Sequence, residues 1–330
     1  MLAERAHTIH LPKFGKDVTP LHEVAPNPRH IAQQWITKFE SVLTSKDLSR
    51  LPTVMHEDCW WRDMLAFEWD FHTIHGLGKL TDYMSKNIES GLSNLRLQQS
   101  GKFAPSVAKP IESLEWIESM FDFETKTGRG SGMLRIVQGE NGVWKGYMMY
   151  TVLKELKGFE EKAGSRRAHG GNNSLLGGAI KGNWHDRRQR QLDFLDEEPQ
   201  VLIIGAGQSG LNLGARLQAL GMSCLIIDKN SRIGDNWRHR YRTLVTHDPV
   251  QYTHMAYLPF PSNWPLFTPK DKIGDWFESY ASLMELNVWM NTRCDSAEYN
   301  EETKEWLVQI ERGGEPKRRF KPRHLVLCTG

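Results

Sequence analysis

The chain has 330 residues, of which 25% are charged and 39% hydrophobic, with 42 basic and 40 acidic side chains. This length allows two domains of ordinary size, and a formal net charge of only +2 argues against a protein that recruits nucleic acid or an anionic membrane through a global field. The longest apolar runs are far shorter than the roughly 18 residues that a membrane-spanning helix needs. We therefore expect a soluble two-domain protein that acts on small molecules.

The four cysteines are widely spaced, at Cys59, Cys224, Cys294 and Cys328, and none forms a C-x-x-C pair. This spacing predicts no disulfide framework and favours a reducing compartment. The segment Met1–Lys16 is interrupted by charged and histidine side chains, so it lacks the apolar core of a secretory signal. The histidines show no H-E-x-x-H or other zinc spacing. We expect a cytoplasmic protein without a bound metal.

The first part of the chain predicts helices. After an N-terminal extension over residues 1–27, apolar side chains recur at four-residue spacing from Ile31 to Leu43. This period predicts an amphipathic helix over residues 28–44. Shorter helical segments are predicted near residues 47–55 and 78–88.

A sheet is predicted after these helices, because from Ile111 onward the side chains alternate with a period of two. Three strands are predicted, over Met120–Thr125, Gly132–Val137 and Val143–Leu153. Asn141-Gly142 separates the last two strands and is a strong hairpin signal. We expect residues 28–160 to form an α+β cone, in which helices cover a curved antiparallel sheet.

Residues 161–198 predict a linker. The stretch from Lys162 to Arg190 is basic and rich in glycine, with little apolar periodicity, and Asn183–Phe194 predicts a short helix. A phosphate or nucleic-acid contact would use such basic residues, but a solvated connector explains them with fewer assumptions.

The strongest motif lies in residues 199–330. The apolar strand Val201–Ile204 leads directly into Gly205–Gly210, which reads G-x-G-x-x-G, and helical spacing then continues to Gly221. A second apolar strand ends at Asp228, where an acid would meet a ribose hydroxyl. Strand, glycine turn, helix, strand and acid in this order predict a dinucleotide site. The acid disfavours NADP at this site and leaves FAD and NAD open.

Further segments carry a family resemblance. Ile233–Tyr241 resembles the G-G-x-W-x-x-R-Y segment of flavin-containing and Baeyer–Villiger monooxygenases, with Asp235 in place of one glycine. Leu325–Gly330 is similar to the strand and A-T-G segment of that family, with Cys328 in place of the alanine. Within the family, the YUCCA-like group is the nearer one. Trp60–Asp63 and Gly130–Arg135 resemble the SnoaL or ketosteroid-isomerase-like domain that precedes some fungal flavin monooxygenases.

The resemblance implies an incomplete α/β Rossmann-type FAD-binding domain and a monooxygenase that uses FAD and NADPH. In the family, NADPH reduces FAD, oxygen adds at flavin C4a, and the hydroperoxide passes one oxygen atom to a small organic substrate. His247 would be the catalytic residue. The cofactor-binding residues would be Gly205, Ala206, Gly207, Gln208, Ser209, Gly210, Asp228, Lys229, Trp237, Arg238, His247, Asp248, Thr329 and Gly330.

The resemblance also implies parts that this sequence lacks. The family's second G-x-G-x-x-G does not occur, so we expect the NADPH site beyond Gly330 and a truncated chain that is inactive alone. A disulfide reductase is disfavoured because no redox cysteine pair follows the first glycine motif. A non-catalytic protein, whose cone domain forms a homodimer or binds a ligand, stays open. Asp63 is then either a base in an isomerase-like pocket or a structural residue.

Overall fold

The computed structural model describes residues 27–111, 114–139, 142–168 and 183–330. Three predicted features lie wholly or partly outside the described residues: nearly all of the N-terminal extension, Asn141 of the hairpin, and residues 169–182 of the linker. The chain divides into two compact units, Met1–Glu160 and Glu161–Gly330. None of the helices in the described ranges combines the length and the hydrophobicity of a transmembrane segment.

In its described residues, the first unit combines two helices, α1 (Pro28–Ser45) and α2 (Leu77–Asn87), with one sheet of seven strands. Short 3₁₀ turns cover Leu48–Thr53 and Ile88–Ser90. The strands are β1 (Met55–Met64), β2 (Phe71–His75), β3 (Ser93–Leu97), β4 (Ser106–Ile111), β5 (Leu114–Glu124), β6 (Gly128–Gln138) and β7 (Trp144–Leu156).

Helix α1 begins and ends where local chemistry requires. The Asn27 side chain accepts hydrogen bonds from the backbone N–H groups of Arg29 and His30, and Pro28 occupies the first turn. Lys46 ends the helix in a left-handed conformation. The predicted stripe is buried, including Trp35 and Phe39, so the helix predicted over residues 28–44 is confirmed.

The sheet has the order β2-β1-β7-β6-β5-β3, with β4 paired to β5. Strands β5, β6 and β7 form the predicted antiparallel meander. The expectation of an antiparallel sheet throughout is wrong at one place, because β1 pairs with β7 in parallel. These two strands are separated by α2 and the other strands of the sheet, so no tight hairpin forces them to run in opposite directions. Strands β1 to β3 lie in the region that periodicity assigned mainly to helices.

The second unit contains the helices α3 (Trp184–Asp193), α4 (Gln208–Ala219), α5 (Asp235–Arg238), α6 (Val250–Thr253) and α7 (Lys270–Leu283). Helix α3 confirms the short helix predicted over Asn183–Phe194, with Asn183 as its N-cap. The strands are β8 (Val201–Ile204), β9 (Cys224–Ile227), β10 (Val288–Trp289), β11 (Thr292–Asn300), β12 (Glu305–Arg312), β13 (Arg318–Phe320) and β14 (His324–Leu327).

Two sheets organise this unit. One is parallel, with the order β10-β9-β8-β14, and the other, β11-β12-β13, is antiparallel. Helix α4 follows β8 and packs on β9, where Gly214 makes room: a Cβ there would lie 2.7 Å from the side chain of Ile226. The α/β Rossmann-like fold predicted for residues 199–330 therefore forms, and the carboxyl ends of β8, β9 and β14 meet at one edge of the sheet.

Candidate functional site

A cavity of about 550 Å³ opens at this edge of the parallel sheet. Ligands of open α/β sheets bind at this position, outside the carboxyl ends of the strands. The cavity is lined by Ile204, Gly205, Gly207, Gln208, Ser209, Ile227, Asp228, Lys229, Asn230, Asp235, Asn236, His239, Thr292, Arg293, Cys294, Cys328, Thr329 and Gly330.

The glycine loop forms one wall of this cavity. Gly205 has φ +113°, and a Cβ there would lie 2.3 Å from the carbonyl oxygen of Cys328. At Gly210 a Cβ would lie 1.9 Å from the carbonyl oxygen of Gly205. Both positions accept only glycine, because backbone atoms cannot move aside. The loop therefore requires its first and third glycines in order to form at all.

Gly207 has a different role. A Cβ there would meet the flexible side chain of Asn236 at 3.0 Å, with no backbone atom within 4 Å. Gly207 lines the cavity and is the N-cap of α4, followed by Gln208 and Ser209 in the first turn. The N–H groups of a first helical turn have no intrahelical acceptor, and the helix dipole makes this end positive. This wall is suited to a diphosphate.

Asp228 links the loop to the end of β9. One carboxylate oxygen accepts a hydrogen bond from the backbone N–H of Ala206 at 2.8 Å, and the other accepts from Asn230 at 2.8 Å. Asp228 lines the cavity, as expected for the acid after the second strand. Each carboxylate oxygen can accept more than one hydrogen bond, so the side chain remains able to bind a hydroxyl group.

The other residues predicted around the cofactor fall into two groups. Lys229, Thr329 and Gly330 line the cavity with the loop. Ala206 and Gly210 are buried behind it and support the loop.

Trp237 and Arg238 do not line the cavity. The Trp237 indole donates a hydrogen bond to the side-chain oxygen of Gln208 at 3.2 Å, so it contacts a cavity residue from outside. The Arg238 guanidinium turns to α7, where it donates to Asp275 at 2.9 Å and to Glu278 at 3.1 Å. These two residues therefore support the site from behind.

His247 and Asp248 also lie outside the cavity lining. Their side chains are 96% and 62% exposed, and His247 Nε2 lies 3.6 Å from Asp248 Oδ2. Among the described residues, neither side chain forms a hydrogen bond or an ion pair with the glycine loop.

Several cavity residues were not predicted, because they come from distant parts of the chain. Asp235, Asn236 and His239 belong to α5 and its end, and Asp235 had been noted only as a replacement for a family glycine. The start of β11 supplies Thr292, Arg293 and Cys294, for which no local motif gave a signal.

The two cavity cysteines are poor nucleophiles at neutral pH. Burial raises the pKa of the Cys328 thiol, and burial together with the charge of Asp295 raises the pKa of Cys294. The thiolate is the reactive form of cysteine. In the described part of the chain, His, Cys, Asp and Glu side chains form no group of three or more that could hold a metal ion.

The first unit contains a buried carboxylate of its own. Asp63 is fully buried and accepts hydrogen bonds from Thr151 at 2.6 Å, from the Tyr83 hydroxyl at 3.1 Å and from the backbone N–H of Phe67 at 3.2 Å. Burial and the neighbouring Asp63 raise the pKa of Tyr83. Three donors satisfy this carboxylate, which fits a structural residue better than a base.

Part of the chain is similar to known proteins. Residues 203–263 match the model of an NAD(P)-binding Rossmann-like domain. Indole-3-pyruvate monooxygenase YUCCA1 of Oryza sativa subsp. japonica is 31% identical over 133 residues, which are 40% of this chain and 32% of that protein. An uncharacterized CzcO-like oxidoreductase of Geobacillus kaustophilus is 35% identical over 102 residues, which are 31% of this chain and 29% of that protein.

Among solved structures, the flavin-containing monooxygenase of Stenotrophomonas maltophilia is similar to this chain, with 23% sequence identity and a TM-score of 0.35. The similar part covers 40% of this chain and 38% of that one. This TM-score is too low to establish a common fold for the whole chain. The chain spans about a third of the length of the curated relatives it matches. Over the matched region it is similar to proteins named indole-3-pyruvate monooxygenases.

Proposed function

We propose that the second unit binds FAD, and that the chain is the FAD-binding part of an NADPH-dependent monooxygenase that transfers one oxygen atom from O₂ to a small organic substrate. One observation carries the proposal: the glycine loop and Asp228 line the same open cavity. The resemblance of Ile233–Tyr241 to the flavin-containing monooxygenase segment favours FAD over NAD at this site, and the similarity to proteins named monooxygenases agrees with it.

The residues present fit FAD. The diphosphate would lie against Gly207 and the first turn of α4, where a Cβ is absent and N–H groups point outward. The adenosine ribose would meet Asp228, with Lys229 beside it. Thr292 and Cys294 also line the cavity and would cover the adenine end.

When bound, FAD supplies the redox chemistry. The residues of this chain hold and orient it: the loop fixes the diphosphate, and Asp228 fixes both the ribose and the loop. NADPH as reductant is proposed from the family resemblance of the sequence, and the oxygen transfer also from the relative named a monooxygenase. A catalytic role of His247 stays a prediction.

The test is FAD titration of the purified chain, followed by flavin fluorescence. Gly207→Ala should weaken FAD binding at least about tenfold, because its Cβ occupies the cradle of the diphosphate while only the Asn236 side chain must shift. Gly214→Ala is the matched control: it crowds Ile226 in the core, so it should lower the melting temperature and leave FAD affinity unchanged. A chain that folds and does not bind FAD would refute the proposal.

For the first unit, we propose a SnoaL-like domain of the kind fused to some fungal flavin monooxygenases, which forms a homodimer. The support is the combination of α1 and α2 with a seven-stranded sheet, and a pocket of about 210 Å³ on that sheet, lined in part by Trp60, Met133, Met148 and Tyr150. Light scattering of wild type and Met148→Glu tests it: the wild type should be a dimer and the variant a monomer.

The four free cysteines support a cytoplasmic location.

A further inference from the structure

The side-chain amide of Asn236 lies beside the glycine that lines the diphosphate wall of the cavity. Asn236 and Gly207 both line the cavity. A Cβ on Gly207 would lie 3.0 Å from the amide nitrogen of Asn236 and 3.9 Å from its Cγ, and these are the two atoms that it would meet within 4 Å. The Asn236 amide is therefore the side-chain group next to the N-cap of α4, where the first-turn N–H groups are free for a ligand.

The hydrogen-bonding capacity of this amide is unused. Within the described residues, the Asn236 side chain is exposed and forms no hydrogen bond. An asparagine amide offers two N–H donors and one acceptor oxygen. The carboxylate of Asp228, by contrast, already accepts from two backbone N–H groups. Both N–H groups of the Asn236 amide are therefore available to an acceptor in the cavity.

Helix α5 fixes the backbone of Asn236 between two other helices. Gly234, the N-cap of α5, has φ +89°, and a Cβ there would lie 2.5 Å from the carbonyl oxygen of Gly274 in α7. On the other side of Asn236, the Trp237 indole donates to Gln208 in the first turn of α4 at 3.2 Å. The amide is therefore held near the cradle before a ligand arrives, which lowers the entropy that binding costs.

We propose that Asn236 is a phosphate-binding residue of this site, whose amide donates a hydrogen bond to the dinucleotide diphosphate beside the N–H groups of α4. The proposal rests on the function proposed above, since it requires that the cavity holds a diphosphate. A hydrogen bond to a charged oxygen is stronger than one between neutral groups. The family resemblance and the glycine motif do not assign this role, because Asn236 comes from a separate segment that only the fold brings to Gly207.

The test uses Asn236→Ala in the full chain, with ADP and adenosine as probes and calorimetry or NMR titration as readout. ADP should bind about tenfold more weakly to the variant, as expected for the loss of one hydrogen bond to a charged group, while adenosine affinity stays within about twofold. Asn236→Asp keeps the size of the side chain but replaces the donor with a carboxylate, so it should weaken ADP binding further. Both affinities are measured on the same sample, so their ratio does not depend on the fraction of folded protein.

Asn263→Ala and Asn263→Asp are the matched controls. Asn263 is an exposed asparagine of the same unit that does not line the cavity. Its substitutions make the same changes in size and charge, so the ADP-to-adenosine affinity ratio should stay at the wild-type value.

A double variant tests whether Asn236 and Gly207 act on the same phosphate. The Cβ of Gly207→Ala pushes the Asn236 amide aside, so part of the loss in ADP affinity is already the loss of this hydrogen bond. The combined loss in Gly207→Ala with Asn236→Ala should therefore be smaller than the product of the two single losses. Losses that multiply fully would contradict a shared phosphate.

The affinity ratio separates this inference from the proposed function. If Asn236→Ala kept or raised the ADP-to-adenosine ratio while the wild type bound ADP and FAD, Asn236 would not bind the phosphate, and the FAD site would stand without it. If the wild type bound neither ADP nor FAD, the proposed function would fail together with the inference.

Discussion

The Asp228 carboxylate holds two backbone segments together, the glycine loop through Ala206 and the turn after β9 through Asn230. In Asp228→Asn the amide offers one acceptor oxygen, so one of these N–H groups faces an NH₂ group and loses its partner. A buried donor left in this way costs about 1–3 kcal/mol. Thermal unfolding should show this loss, and FAD affinity should fall with it.

Asp196→Asn is the comparison for this experiment. Asp196 is 59% exposed and pairs with Arg190 at the surface, so its replacement should change stability by no more than about 0.5 kcal/mol. Equal effects of the two substitutions would show that Asp228 does not organise the loop.

The rates at which the cysteines are alkylated can test whether FAD occupies the cavity. Burial raises the pKa of Cys59 to about 12 and that of Cys224 to about 11, and both side chains are buried. Cys294 and Cys328 line the cavity, with thiol pKa values raised as well. Alkylation should therefore occur at these two, speed up as pH rises and the thiolate fraction grows, and slow when FAD is added. Mass spectrometry can assign each site.

An FAD-independent rate at both Cys294 and Cys328 would contradict the placement of the cofactor between the loop and β11. Preferential alkylation of Cys59 or Cys224 in the folded protein would contradict the packing of the two cores.

At the scale of elements, α5 is joined to α7 through Arg238. Its guanidinium is 13% exposed and contacts Asp235, Asp275 and Glu278. Arg238→Met leaves these carboxylates without their shared partner, and removing one member of a buried ion pair costs about 3–5 kcal/mol. Chemical denaturation should show this loss of stability.

Arg232→Met is the control, since Arg232 contacts the same Glu278 but is 55% exposed. A surface pair contributes at most about 1 kcal/mol. If both substitutions lowered the stability equally, Arg238 would not be the residue that joins α5 to α7.

The elements also show which parts of the fold the sequence can predict. Helices α1, α2 and α3 follow from local spacing and caps, such as Asn27 and Asn183. Strand β1 was missed because its tract contains adjacent aromatic and charged side chains, so the alternation of its buried positions is hidden. Its parallel pairing with β7 depends on contacts about 90 residues apart in the chain, which no local pattern encodes.

The same reasoning applies to the site. The Gly205–Gly210 loop and Asp228 could be predicted, because Gly205 needs a positive φ, Gly210 approaches Gly205 within the same turn, and the acid follows the next strand. The resemblance implies a position of Arg238 towards the flavin, but it could not give its partners on α7, which lie 37 and 40 residues further along the chain. Thr292 and Cys294 reach the cavity only because β11 begins beside β9. Tertiary contacts decide these positions.

At the scale of the whole molecule, the two units should respond differently to a ligand. A ligand at about a hundred times its Kd stabilises the state that binds it by about 2.7 kcal/mol. If the cavity of the second unit holds FAD, this stabilisation should slow hydrogen exchange in β8, α4 and β9. Exchange in β5, β6 and β7 should not change, because those strands belong to the other compact unit.

Hydrogen exchange with mass spectrometry, with and without FAD, makes this comparison within one sample, so the first unit serves as the internal control. Gly207→Ala should reduce the protection of β8 and α4 at the same FAD concentration, since its Cβ enters the cradle and weakens binding. Protection that appears in the first unit alone would place the ligand there and contradict the FAD site. Protection of both units would mean that the two units unfold together. A ligand bound to one unit would then slow hydrogen exchange in both.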